Sequence, residues 1–247
     1  MNYNLVQVVH KENSVELLLN RPEALNALSI PMLKELAAAL SEEVQKAEQD
    51  ILILKGKGRA FCAGADVEER KRGLSLETYI TERVLTLQEI ASFLRNTEKV
   101  IIAALQGYVI GGGVVLSLFA DFRIATEDTI FRFPEVDVGT TILCGGYKLL
   151  VEAIGLSKAK ELLLLGHSIK ADEAEKIGLI HKVVKSNQLE DTIMNYVNEL
   201  SAKPSFTKRL IKRAAVAAAE HTFDQMLMME IVDAIRNHKM IMEEREK

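Results

Sequence analysis

The sequence predicts an α/β fold built on parallel strands, and three observations carry that prediction. Two short, continuous apolar runs, ILILK (51–55) and VIIAALQG (100–107), read as strands buried on both faces. Each leads into a glycine-bearing segment, GKGRAFCAGAD and GYVIGGG. Helical patterns follow both, so strand, glycine loop and helix recur in that order. The spacing is too irregular for periodicity alone to define a solenoid.

The elements follow in order. LVQVV (5–9) and VELLL (15–19), split by a polar turn, predict a β-hairpin. NRPEALNALS (20–29) is a loop broken by Pro22. Ser29 caps a helix with Pro31 in its first turn; it runs to about Glu48 with Leu33, Leu36, Leu40 and Val44 on one face. Residues 75–96 are helical, an apolar helix runs through Ala120, and FRIAT (122–126) is a third buried strand. From Ala171 the chain is mostly helical, with Gly178 as a helix stop. One or two helices follow Pro204. Their Met226, Leu227, Met229 and Ile231 exceed what one amphipathic face needs, which predicts packing on the main body or on a neighbouring subunit.

Composition narrows the function classes. The 247 residues carry a net charge of −4 and no tryptophan, which argues against a nucleic-acid binder: phosphate contacts need a basic face and base stacking an aromatic platform. Lys55, Lys57 and Arg59 form a local basic run, read either as a solvated loop or as a grip on a phosphorylated ligand. Cys62 and Cys144 are the two cysteines; no metal-ligand spacing occurs, and free thiols in a cytoplasmic setting are expected. The N-terminal MNYNLVQVVHKEN lacks a signal-peptide pattern. The longest apolar stretch, Val109 to Ala120, holds three glycines and is too short to span a membrane.

The glycine loops carry the chemistry. Ala63, Gly64 and Ala65 leave the backbone open to close approach by a ligand. The glycine triplet 111–113 opens an apolar helix, whose N-terminus presents unpaired amides and a partial positive charge. Two such loops side by side aim two N–H groups at one oxygen, which is an oxyanion hole. The same features suit a phosphate, or a tight strand–helix crossing. Neither a dinucleotide fingerprint nor a Walker A loop is present.

Together, NRPEALNALS, GRAFCAGADV, GYVIGGGVVLSLFADFRIA, FRFPEVDVG and AEKIGLIHKVV resemble, in order and spacing, the enoyl-CoA hydratase/isomerase (crotonase) superfamily. The resemblance covers nearly all of residues 1–185. It implies a crotonase-like spiral of ββα turns (1–190) followed by a helical C-terminal trimerisation region (191–247). It implies an acyl-CoA or acyl-carrier thioester as substrate, no separate cofactor or metal, and homotrimers or dimers of trimers. It places the oxyanion amides on Ala65 and Gly112. Backbone around Ala24, Ala63, Asp66 and Val67 would line the CoA groove, with the Asp66 side chain serving as a local cap.

The reaction turns on carboxylates. Hydratases of this family use two glutamates, one to activate water and one to supply a proton. The first pattern position, two residues after the glycine triplet, is Val115 here; the second, after a proline, is Glu135. A single carboxylate facing an apolar residue suits a proton shuttle, as in Δ3,Δ2-enoyl-CoA isomerisation. Dienoyl-CoA isomerases add an aspartate where Leu143 stands. Three departures bear on the pocket: Arg132 and Ile142 stand where the family usually has glycine and often proline, and GGYKLL (145–150) replaces a GGTQRL-like helix start. Arg132 is expected either to pair with Glu135 and lower its pKa or to hold a substrate carboxylate. The latter, with His238 as a conceivable acid, describes a decarboxylase of glutaconyl-type thioesters, as in polyketide-associated homologues. A non-catalytic binding subunit on the same fold is the remaining reading. The mildly basic KRLIKRAAVAAAEH (208–221) reads as a solvated helix face.

Overall fold

The computed structural model describes residues 3–245. Among them, the hairpin strands are β1 (Val6–His10) and β2 (Val15–Leu19), antiparallel with Val8 opposite Leu17. Next come β3 (Ile51–Gly56), β4 (Val100–Leu105), β5 (Tyr108–Ile110), β6 (Phe122–Thr126), β7 (Ile130–Arg132), β8 (Ile169–Lys170) and β9 (Lys182–Val184). One six-stranded sheet runs β1-β2-β3-β4-β6-β9, parallel from β2 onward. A smaller sheet runs β5-β7-β8, with β5 and β7 parallel.

Consecutive strands alternate between the sheets. β4 lies in the large sheet, β5 in the small one, and the helix Gly112–Leu118 follows; β6 and β7 repeat the step. The segment after β3 does the same through a parallel bridge between Cys62 and Val109. This alternation is the expected ββα spiral.

The central strands are buried on both faces because their side chains alternate. Leu52, Leu54, Ile101, Ala103 and Leu105 join the main core with Met32, Leu33 and Leu36 of the helix Ile30–Ala39. Ile51, Ile53, Ile102 and Ala104 face the other way, onto Ile193 and Val197 of the helix Leu189–Ser201. That helix spans the boundary expected at 190/191.

Local signals act as expected at the first helix. Ser29 Oγ accepts the Met32 N–H at 3.4 Å, and Pro31 sits in the first turn. The regular helix ends at Ala39, short of Glu48, and continues as a wider turn over Leu40–Val44 closed by Gln45 N–H donating to Leu40 O. The extra residue in that turn keeps both Leu40 and Val44 buried. The segment 75–96 is helical with a similar wide stretch at Tyr79–Val84. The C-terminal helices are Ser205–Ala218 and Phe223–Arg245; the second leaves Phe223, Met228, Ile231 and Ile235 exposed. Among the described residues no helix is long and apolar enough to cross a membrane.

Candidate active site

Three backbone segments meet at the ends of β3, β5 and β7. The first is the loop 62–66. Cys62 N–H donates to Tyr108 O at 3.1 Å, and Ile110 N–H to Cys62 O at 2.9 Å. Ala63 N–H donates to Leu25 O, Asp66 N–H to Leu28 O, and Gly64 N–H to the Cys62 sulfur. Among these described residues the Ala65 N–H is left without an acceptor.

The second segment is the glycine triplet. Gly111 N–H donates to Arg132 O at 2.8 Å, which fixes the loop to the end of β7. Gly112 opens the helix, so its amide has no carbonyl four residues back. Three residues on from the Cys62–Val109 bridge, on both strands, stand Ala65 and Gly112. Both amides therefore lie on loops that run on from one bridged pair. The loops touch through backbone: a Cβ on Gly64, whose φ is +82°, would lie 2.6 Å from Ile110 O and 3.5 Å from Gly112 N. A Cβ on Gly113 would lie 2.4 Å from Cys62 O. Small residues are needed here because main chain packs on main chain.

The third segment is the turn Pro134–Thr140, closed by Asp137 N–H donating to Pro134 O and Thr140 N–H to Glu135 O, both at 3.0 Å. It lays the Glu135 carboxylate on Gly111: a Cβ there would be 2.6 Å from Oε1. Glu135 Oε2 is buried and has no hydrogen-bond partner. Burial pushes the Glu135 carboxyl above its ordinary value, and no cation offsets it.

That result corrects one expectation for Arg132. Its Nε donates to Gly166 O at 2.8 Å and an Nη to Asp137 Oδ2 at 2.7 Å. The guanidinium is thus engaged away from Glu135 and does not lower that carboxyl's pKa. His238 is exposed on the C-terminal helix.

Val115 is buried one helical turn beyond Gly111, on the same face of the helix. Its Cγ2 and that of Ile142 crowd Gly146: a Cβ there would be 2.7 and 2.3 Å from them. The position where a second carboxylate would stand is thus an apolar wall. The Asp66 side chain acts as a cap, with Oδ1 accepting the Glu68 and Glu69 amides at 2.9 and 3.1 Å and Oδ2 accepting from Arg21. Burial pushes its carboxyl up, but the Arg21 bond and the two amides outweigh this and hold it below the usual value. Ala24 and Ala63 are partly exposed, and Val67 is exposed. Cys62 donates to Asn26 O, and burial pushes its thiol up to about 12, so it stays protonated.

A separate cleft opens between β9 and the helix Leu189–Ser201, lined by Glu127, Lys182, Lys185 and Asp191. All four are exposed, so nothing there is desolvated for chemistry. The fold brings the residues singled out in the sequence, Ala65, Gly112, Val115 and Glu135, onto loops that meet. The contact of Gly111 with Glu135 and the Arg132–Asp137–Gly166 cluster were not legible in the sequence, because Gly166 carries no local mark of its distant partner.

A family model described as enoyl-CoA hydratase/isomerase matches residues 10–244. The chain is 34% identical over 225 residues to a short-chain-enoyl-CoA hydratase of Clostridium acetobutylicum, covering 90% of this chain and 85% of that protein. It is 35% identical over 212 residues to a probable mitochondrial enoyl-CoA hydratase of Dictyostelium discoideum, covering 86% and 75%. Among solved structures, a putative enoyl-CoA hydratase from Thermobifida fusca in complex with CoA superposes with a TM-score of 0.90 at 25% identity, covering 97% and 95% of the two chains.

Proposed function

Since the chain belongs to the enoyl-CoA hydratase/isomerase family, we propose that it is a thioester-enolate enzyme whose reaction is Δ3,Δ2-enoyl-CoA isomerisation with Glu135 as its one base. The observation that carries this reading is the Glu135 carboxylate, buried and unpartnered at Oε2, with the buried Val115 where a second carboxylate would stand.

In this reading the thioester oxygen lies between the Ala65 and Gly112 amides. Glu135 takes a proton from C2, and the electron pair spreads onto the oxygen as a dienolate. The carboxylic acid so formed returns the proton at C4, the double bond moves into conjugation, and the carboxylate is regenerated. Each oxyanion donor contributes about 10²–10³ in rate, or ~3–4 kcal/mol. A base lifted above the ordinary carboxylate range takes a carbon-bound proton more readily than an exposed glutamate. Ala24, Ala63, Asp66 and Val67 would line the groove for the CoA or carrier arm.

Hydration is the second reading, favoured by the names of the relatives. It requires a second group to activate water, and Val115 and Ile142 offer none. The uncovered Phe223, Met228 and Ile231 support association, with the exposed hydrophobic helix covered by a neighbouring copy of a homotrimer or dimer of trimers. The deciding experiment is product analysis with 3-enoyl-CoA and 2-enoyl-CoA in D2O. Conjugated enoyl-CoA from the first and no 3-hydroxyacyl-CoA from the second is expected. A 3-hydroxyacyl product as the main outcome would overturn the isomerase assignment.

A further inference from the structure

We infer that Arg132 and Asp137 are positioning residues for the base: their ion pair locks the Glu135 turn to the strand that holds the Gly111 loop. This rests on the reading of Glu135 as the base. Arg132 joins three parts of the site. Its carbonyl accepts the Gly111 N–H at 2.8 Å, which sets the glycine loop. Its guanidinium reaches Asp137, two residues past Glu135, at 2.7 Å. Its Nε bonds the Gly166 carbonyl at 2.8 Å, at the C-terminal end of the helix Leu156–Leu165. A cation suits that end, because the helix's last carbonyls carry partial negative charge.

Gly166 is shaped for this joint. Its φ is +62°, and a Cβ would lie 2.7 Å from Asp137 Oδ2 and 3.1 Å from Val136 Cγ1. The turn therefore packs against a helix end with no side chain in between. Glu135 Oε2 has no partner, and the one hydrogen bond its carboxylate accepts comes from its own backbone, on the same turn. Its aim depends on the turn that carries it, and the turn is held at Asp137.

The pair is half exposed, at 42% and 45%, so its effect on stability is small, as for other surface pairs. Its effect on geometry is larger: the base and the oxyanion amide must share one frame, and small misplacements in such a frame cost rate steeply. Because Asp137 neutralises the guanidinium, Arg132 can take this role without drawing the Glu135 pKa down.

The test uses R132Q, D137N, the double variant and R132K in the full chain. Readouts are isomerisation of 3-hexenoyl-CoA, deuterium wash-in from D2O into recovered thioester, pH–rate profile and Tm. Each single substitution is expected to lower kcat about ten- to a hundredfold. KM should stay within about twofold, and the acid limb should not move in the double variant, which removes both charges of the pair. The double variant should be no worse than the more affected single, since both remove one joint, and R132K should recover part of the rate. Unchanged kcat in R132Q and D137N, an effect confined to KM, or rate losses that only follow Tm would overturn the inference. If the wild type washes in deuterium without forming the conjugated isomer, the isomerase assignment fails, and the wash-in rate of the variants still reads the positioning role. If the wild type shows neither, Glu135 is not a base and both readings fall.

Discussion

Glu135 rests on Gly111: a methyl group added to that Cα would come within 2.6 Å of Oε1. The carboxylate thus sits on the backbone of the loop that carries the Gly112 amide. Gly111→Ala adds both this clash and a strained φ of +49°. Isomerase kcat is expected to fall about a hundredfold, with the Glu135 side chain displaced. Gly113→Ala meets backbone instead, at Cys62 O, and should lower Tm before it affects the chemistry of the protein that folds. Parallel kinetics and thermal melts separate the two.

Removing the base should reduce kcat about 10²–10⁴-fold in Glu135→Gln, with KM little changed. Steady-state kinetics on a 3-enoyl-CoA checks this, and retention of full rate would falsify the assignment.

The same substitution has a pH-dependent effect on stability. Burial raises the folded carboxyl above its ordinary 4.5, so folding favours the protonated form. That contribution is complete below the unfolded value and is lost as pH rises through the folded one. Above that range burial disfavours the ionised side chain, and Glu135→Gln should melt higher by about 1–3 °C. The gain should shrink to nothing in acid. The rate should show the mirror image: activity rises with pH through an acid limb placed above 4.5, because only the carboxylate accepts a proton.

Asp66 behaves in the opposite sense. Its folded carboxyl is held below 3.8, so its stabilisation is present above that value and lost as pH falls through the folded pKa. Asp66→Ala should cost about 1–2 kcal/mol through the lost cap of the helix Val67–Arg72. A denaturant titration should record that loss at pH 7 and a smaller one near pH 3.

Ile142→Ala tests the apolar wall. Ile142 is buried against Val115 and Gly146, so truncation should cost about 2–4 kcal/mol. It also opens space for water near the base. The fraction of product hydrogen derived from D2O should rise relative to the wild type; no change would show that this wall does not screen the proton.

Much of the fold is legible along the chain. The strands of five or six residues have apolar runs long enough to show, and Ser29 and Pro31 mark the first helix. The short strands β5, β7, β8 and β9 are not, because two or three residues have no period to detect. β5, β7 and β8 make the smaller sheet and β9 ends the larger one, and β5 and β7 position the candidate site. The extra residue within Leu40–Val44 was equally hidden, since the apolar face it preserves looks the same as that of a regular helix.

For the site, sequence alone determined the chemistry-bearing types: two glycine-rich loops after strands, one glutamate after a proline, and valine in place of its partner. It left Arg132 either to pair with Glu135 or to hold a substrate carboxylate. The tertiary structure pairs it with Asp137. The Gly166 carbonyl, 34 residues away, draws the guanidinium toward the helix end and Asp137 completes its pairing, leaving Glu135 unpaired on Gly111. The Cys62–Val109 bridge likewise joined the two glycine-bearing loops. Pairing and burial depend on neighbours in space, so a sequence can name a candidate base and two candidate donors while only the fold decides that the carboxylate is desolvated and that the two loops meet.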